Sequence, residues 1–168
     1  MNRRYWSHDE ECILTAQSCL ANCLDGLGRL AESIVLMRAT YARRVELNGP
    51  EPYDLVVTGG NLASLLTKAN QHAEAKRLLR ELLPMARREK SLGPCHDSTM
   101  DVEEWLAQAL HRAPGASRED LREAVSILEG TVERRRRVFG PAHPLTVWCE
   151  EELVDVREAL ARRGSHKV

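Results

Sequence analysis

The side chains in this chain most able to do chemistry are five cysteines, six histidines and a set of arginine doublets. The cysteines stand at 12, 19, 23, 95 and 149 and include no Cys-x-x-Cys pair. An odd number without such pairs argues against a disulfide framework and for a reducing compartment, so a cytoplasmic location is expected. His8, Cys12, Cys19 and Cys23 would share one stripe of a single helix. At a rise of 1.5 Å per residue the outer two would lie about 22 Å apart, too far to bind one ion. Cys19 and Cys23 alone supply half a zinc site. No metal or cofactor is therefore expected, and the cysteines are predicted to pack as small buried hydrophobes.

The histidines do not converge either. His8, His72, His96, His111, His143 and His166 fall on different segments. His96 and His143 recur at equivalent places in two turns, which predicts a structural hydrogen bond rather than a general base. A Gly-rich phosphate loop and a nucleophile elbow are both missing, and the chain is read as non-enzymatic. The basic doublets Arg43-Arg44 and Arg87-Arg88 and the run 134–137 also recur. As a ladder they could grip acidic segments or phosphate. Their place in the last turns of helices predicts instead that they complement helix dipoles, at roughly 0.3–1 kcal/mol each. Of the run of four, one Arg must turn inward, its stem along apolar neighbours.

The elements that would carry these side chains are helical and repeat. Among 168 residues, 43% are hydrophobic and 29% charged, with only 4% aromatic. That mixture suits a helical protein rich in Ala and Leu. A net charge of -1 removes any whole-chain attraction to nucleic acid or an anionic membrane, and the exposed aromatics that single strands stack on are scarce. No window approaches the ~18 apolar residues of a membrane span, so no membrane insertion is expected. Gly-Pro occurs at 49, 93 and 140, each followed about a dozen residues later by Asn61-Leu62-Ala63, Trp105-Leu106-Ala107 and Glu152-Leu153-Val154. An earlier copy, Cys19-Leu20-Ala21, has no Gly-Pro before it.

Apolar spacing within each copy is helical. Leu30, Ile34, Met37, Tyr41 and Val45 advance by 4, 3, 4 and 4. Helices are predicted over 9–27, 30–47, 53–69, 72–91, 97–112, 118–138 and 143–162. Gly49, Gly93 and Gly140 would take the left-handed conformation after a helix, and the Pro that follows stops it. Ser117 is the expected N-cap of the sixth helix, with Asp120 at its positive end. Pro84 is expected to kink or break the fourth. The seventh carries Leu145, Cys149, Leu153, Val156 and Leu160 on one stripe and would cover the end of the stack.

These features resemble the tetratricopeptide repeat, in the roughly 42-residue variety of kinesin light chains. The most specific element is Gly-Pro-x-His-Pro-x-Thr, met in full at 140–146 and, with Asp97 for Pro, at 93–99. Gly49-Pro50-Glu51-Pro52 is a degenerate copy. The resemblance implies an all-α, right-handed α-solenoid of antiparallel helix pairs. Three repeats (9–48, 53–92, 97–139) and a C-terminal capping helix (143–162) would form a single domain.

The resemblance also implies binding rather than catalysis: a concave face of first helices holding a peptide segment of a protein partner, as an adaptor or scaffold. The Asn that relatives place just before the Leu-Ala step is replaced by Ser18, Gly60, Glu104 and Glu151. The groove residues expected are Ser18, Asn22, Asn61, Ser64, Thr67, Lys68, Glu104, Gln108, His111 and Arg112, with Asp25 and Asp101 beside them. The alternative is a structural helical array that self-associates or joins a larger complex through its apolar ends.

Overall fold

The computed structural model describes residues 8–47, 52–88 and 92–164; the Gly49-Pro50 turn and His166 lie outside them. Among the described residues there are seven helices and no strand: α1 (His8–Gly26), α2 (Leu30–Glu46), α3 (Pro52–Lys68), α4 (His72–Arg88), α5 (Asp97–His111), α6 (Arg118–Phe139) and α7 (Pro144–Gly164). Each boundary among the described residues lies within two residues of the predicted one, and the predicted end of the fourth helix at 91 lies outside them. Pro84 does not break α4, which continues to Arg88. Leu82, Leu83 and Ala86 are buried on either side of it, so packing holds the helix together across the missing amide donor.

Local chemistry sets the turns. Gly28 (φ 75°) and Asn70 (φ 60°) occupy the same left-handed position between the helices of the first two pairs. Asn tolerates that conformation better than other non-glycine residues. The third pair uses a longer connection that ends in a capping box: Asp120 N–H donates to Ser117 Oγ at 3.0 Å, and Ser117 N–H donates to the Asp120 carboxylate at 2.9 Å. Between pairs, His96 Nδ1 accepts from Ser98 N–H at 3.1 Å and His143 Nδ1 from Leu145 N–H at 3.3 Å. The two turn histidines thus do the structural work expected of them, capping α5 and opening α7.

Helices pack as α1 on α2, α3 on α4 and α5 on α6, with α2 on α3, α4 on α5 and α6 on α7 linking the pairs. Ala21, Ala63 and Ala107 are fully buried where the two helices of each pair meet, a position only a small side chain fits. Leu66, Leu79, Leu82, Leu106, Leu110, Leu121 and Leu128 fill the layers between, each worth roughly 1.5–3 kcal/mol on burial. α7 lays Thr146, Cys149, Leu153 and Val156 against this core as the predicted end helix. Across the outer surface, second helices are tied by ion pairs: Arg38 to Glu74, Lys76 to Asp120 at 3.4 Å and Arg80 to Glu123 at 2.6 Å.

Two expectations need correction. Only Cys149 is buried; Cys12, Cys19, Cys23 and Cys95 are exposed. The first three sit on α1, which among the described residues packs chiefly on α2, and Cys95 sits in the turn before α5. The basic doublets do more than complement dipoles. Arg44 is buried 3.3 Å from Asp54, and Arg135 is buried among Asp101 (2.7 Å), Glu104 (2.9 Å) and Asp97 (3.9 Å). Arg135 is the inward member of the run of four.

Candidate functional site

First helices crowd one side of the stack. α3 touches α5 and α5 touches α7 directly, which places α3, α5 and α7 along the inner curve. Close approach of α3 and α5 depends on Gly60, where an added Cβ would lie 2.3 Å from the Trp105 ring. Trp105 therefore seats its indole against bare backbone of α3. Gly59 does the same towards Leu82 of α4 and Tyr41 of α2. From sequence Gly60 stands only as a replacement for the relatives' Asn, and its close approach to Trp105 is not foreseen. The signal available was two adjacent glycines inside an otherwise good helix, which marks a close approach.

α5 sits among α3, α4, α6 and α7, and ten of its fifteen residues are buried. Two of them are carboxylates. Glu103 accepts from Arg87 Nη2 at 2.6 Å and from Thr131 Oγ1 at 2.9 Å, and pairs with Arg134. That arrangement ties α4, α5 and α6 around one charge. Glu104 faces Arg135 with one oxygen; the other has no hydrogen-bond partner. Burial pushes its carboxyl up to about 8, against the opposing pull of Arg135. Burial and neighbouring Asp97 also raise Asp101. Burial, then Glu104, pushes the Cys149 thiol up to about 12, which leaves it an inert thiol near neutrality.

The expected groove residues divide into two sets. Glu104 and Gln108 are buried within α5, and Thr67 is buried with its hydroxyl donating to Ala63 O at 2.9 Å. These three serve the packing of the first helices. Ser18 is half-buried and donates to Leu14 O at 3.0 Å. Asn22 and Lys68 are exposed, and Asn61 and Ser64 half-buried. Lys68 pairs with Asp25, a tie from α3 to α1. At the far end Arg112 donates to Glu152 of α7 at 2.9 Å, and His111 Nδ1 lies 3.6 Å from the same carboxylate. Lys68 thus reaches back from the end of α3 to the end of α1, and Arg112 forward from the end of α5 to the middle of α7. Between them the inner face offers amide and hydroxyl groups with donors and acceptors of both kinds. No group of three or more His, Cys, Asp or Glu is placed to hold a metal among the described residues. No helix among them is long and apolar enough to cross a membrane.

The tetratricopeptide repeat family model matches residues 13–54, 58–96 and 116–145. The chain belongs to the tetratricopeptide repeat family. Its fold is similar to two crystal structures of a Podosopora anserina protein of kinesin light chain type with nearly identical TPR-like repeats. One, a single-substitution variant, has a TM-score of 0.76 at 22% identity over 90% of this chain and 68% of that one. The other has a TM-score of 0.72 at 20% identity over 92% and 76%. BtubC (BKLC) from P. vanneervenii superposes with a TM-score of 0.65 at 17% identity, over 92% of this chain and 57% of that chain. At such identities the likeness concerns the fold. No curated protein matches the chain by sequence.

Proposed function

We propose that this chain is a non-catalytic protein-interaction module that holds a segment of a partner protein along its inner face. Tetratricopeptide repeats are in general protein-binding scaffolds. The observation that carries the reading is the direct contact of first helices along one side, with a polar stripe across them. Asn22, Asn61, Ser64 and Lys68 are the contacts of choice for the partner's backbone on α1 and α3, and His111 and Arg112 on α5. Thr67, Glu104 and Gln108, buried in the wall, shape it from behind. Affinity should be modest, because a flexible segment loses conformational entropy on ordering.

Its test is capture of partners from the source cell's extract by the wild-type chain, by Asn61→Ala/Ser64→Arg, and by the outer-face variant Arg77→Glu. The reading expects a partner lost with the inner-face variant and kept with Arg77→Glu. Loss with Arg77→Glu alone would assign binding to the outer face. The self-associating reading has its own support in the apolar surface of α1.

A further inference from the structure

Each first helix carries a stripe at the same repeat positions. In α3 it is Leu55, Thr58, Leu62, Leu65 and Ala69; in α5, Thr99, Val102, Leu106, Ala109 and Ala113. The middle three of each set are at most 3% exposed, because α2 covers α3 and α4 covers α5. In α1 the equivalent residues are Ile13, Ala16, Leu20, Cys23 and Leu27. Among the described residues no helix lies over them. Ile13 is 56% exposed, Leu20 54% and Leu27 73%.

The apolar surface continues onto α2. Positions that face solvent in α4 as Arg77 and Glu81 are Val35 and Ala39 in α2, and Val35 is 70% exposed. A shallow hollow between the two helices is lined by Leu24, Ala31, Val35, Leu36 and Ala39, with Glu32 at its rim. At these two positions α2 presents apolar side chains where α4 presents charged ones. The outer side of α7 interleaves Glu151, Asp155, Glu158 and Arg162 with exposed Val147, Trp148 and Val154.

We propose that the α1–α2 face is the contact between two copies of this chain, paired about a two-fold axis near Leu20. An isologous contact sets residue i of one copy against residue j of the other and j against i, so only side chains near the axis meet their own copies, and a charge there meets a like charge. From Cys12 to Leu24 no residue is charged, and this face meets that condition where the α7 face does not. Ile13 and Leu27 lie seven residues either side of Leu20, about 10 Å each way along the helix. An antiparallel pairing centred on Leu20 therefore sets Ile13 of each copy opposite Leu27 of the other.

The patch is about 20 Å long and two helices wide, a footprint near 400 Å² per copy. That is a small interface, so the dimer is a weak one, populated in the micromolar range and above. Sedimentation equilibrium on the full chain from about 5 to 500 µM spans that range. The mean mass should rise from 19.0 kDa towards twice that value. Leu20→Glu, an exposed substitution that leaves the circular dichroism unchanged, should stay at 19.0 kDa throughout. Val154→Glu on the outer side of α7 should dimerise as wild type does. A second readout uses native thiols: maleimide labelling of Cys23 should slow several-fold relative to exposed Cys95 as concentration rises. A wild-type mass that stays monomeric overturns the proposal, as does a Cys23 to Cys95 ratio that ignores concentration. Loss of association with Val154→Glu and not with Leu20→Glu also overturns it, in favour of a contact through α7, and loss with both overturns it in favour of head-to-tail stacking of α1 on α7.

Discussion

Gly60→Ala is a substitution that helix propensity and packing judge in opposite directions. Propensity favours it, since Ala in a helix interior is about 1 kcal/mol better than Gly. Packing opposes it: the new Cβ would stand 2.3 Å from one Trp105 ring carbon and 3.0 Å from another. Carbon atoms rest at about 3.5–4.0 Å, so the indole must retreat by more than 1 Å from a seat between α3 and α5. Overpacking of this kind costs roughly 1–3 kcal/mol, and after the propensity gain the net loss should be up to about 2 kcal/mol. For a domain of this size that lowers the melting temperature by up to about 8 °C.

Gly130→Ala on α6 is the control. Its Cβ would meet only the end of the Arg134 side chain, at 3.3 Å, and the same substitution should there raise stability by about 0.5–1 kcal/mol. Thermal melts followed by circular dichroism measure both. Adding Trp105→Leu should recover part of the Gly60→Ala loss, since contacting residues couple. If Gly60→Ala stabilised the chain as much as Gly130→Ala, the close approach of α3 and α5 would be refuted.

Further outcomes follow from the same structure. The folded chain holds a proton on Glu104 up to about pH 8 that the unfolded chain releases near its ordinary 4.5. This term is fully stabilising below about pH 4.5 and is lost as pH rises to about 8, at roughly 1.4 kcal/mol per pH unit. Glu104→Gln should therefore flatten the pH dependence of denaturant-measured stability over that window, and an unchanged slope would count against the buried, protonated carboxyl. Ser117→Ala removes the capping box of α6 and should cost about 0.5–2 kcal/mol in urea unfolding; no change would deny the box a role. Truncation after Arg137 removes the cover formed by Cys149, Leu153 and Val156 and should produce aggregation or a lower melting temperature. A monomeric truncation with an unaltered melt would contradict the capping role of α7.

What was legible in the sequence is what depends on neighbours in sequence. Steps of 3 and 4 in Leu30, Ile34 and Met37 defined a helix, and Ser117 with Asp120 started another, because both signals act within one turn. His96 and His143 were readable as turn formers since their hydrogen bonds reach only two residues on. Contacts from a distant helix were not legible. Glu104 reads as a groove residue by its repeat position, yet Arg135 on the facing helix and the crowding of α5 bury it. Cys23 of α1 holds the position of buried Leu65 in α3, but among the described residues no helix lies over it, and it is exposed. Gly59-Gly60 looks like a weak point in α3 until Trp105 and Tyr41 are set against it.

The most direct test of the central claim is the affinity of a captured partner segment for two variants with opposite placements. Asn61→Ala/Ser64→Arg alters the inner face of α3, whereas Arg77→Glu/Glu81→Arg reverses an exposed pair on the outer face of α4 and keeps it paired. Isothermal titration should show binding weakened about tenfold or more by the first, a loss of roughly 1.4 kcal/mol or above, and unchanged by the second. Binding that survives the inner-face variant and fails with the outer-face one would place the partner on the convex surface and contradict the account.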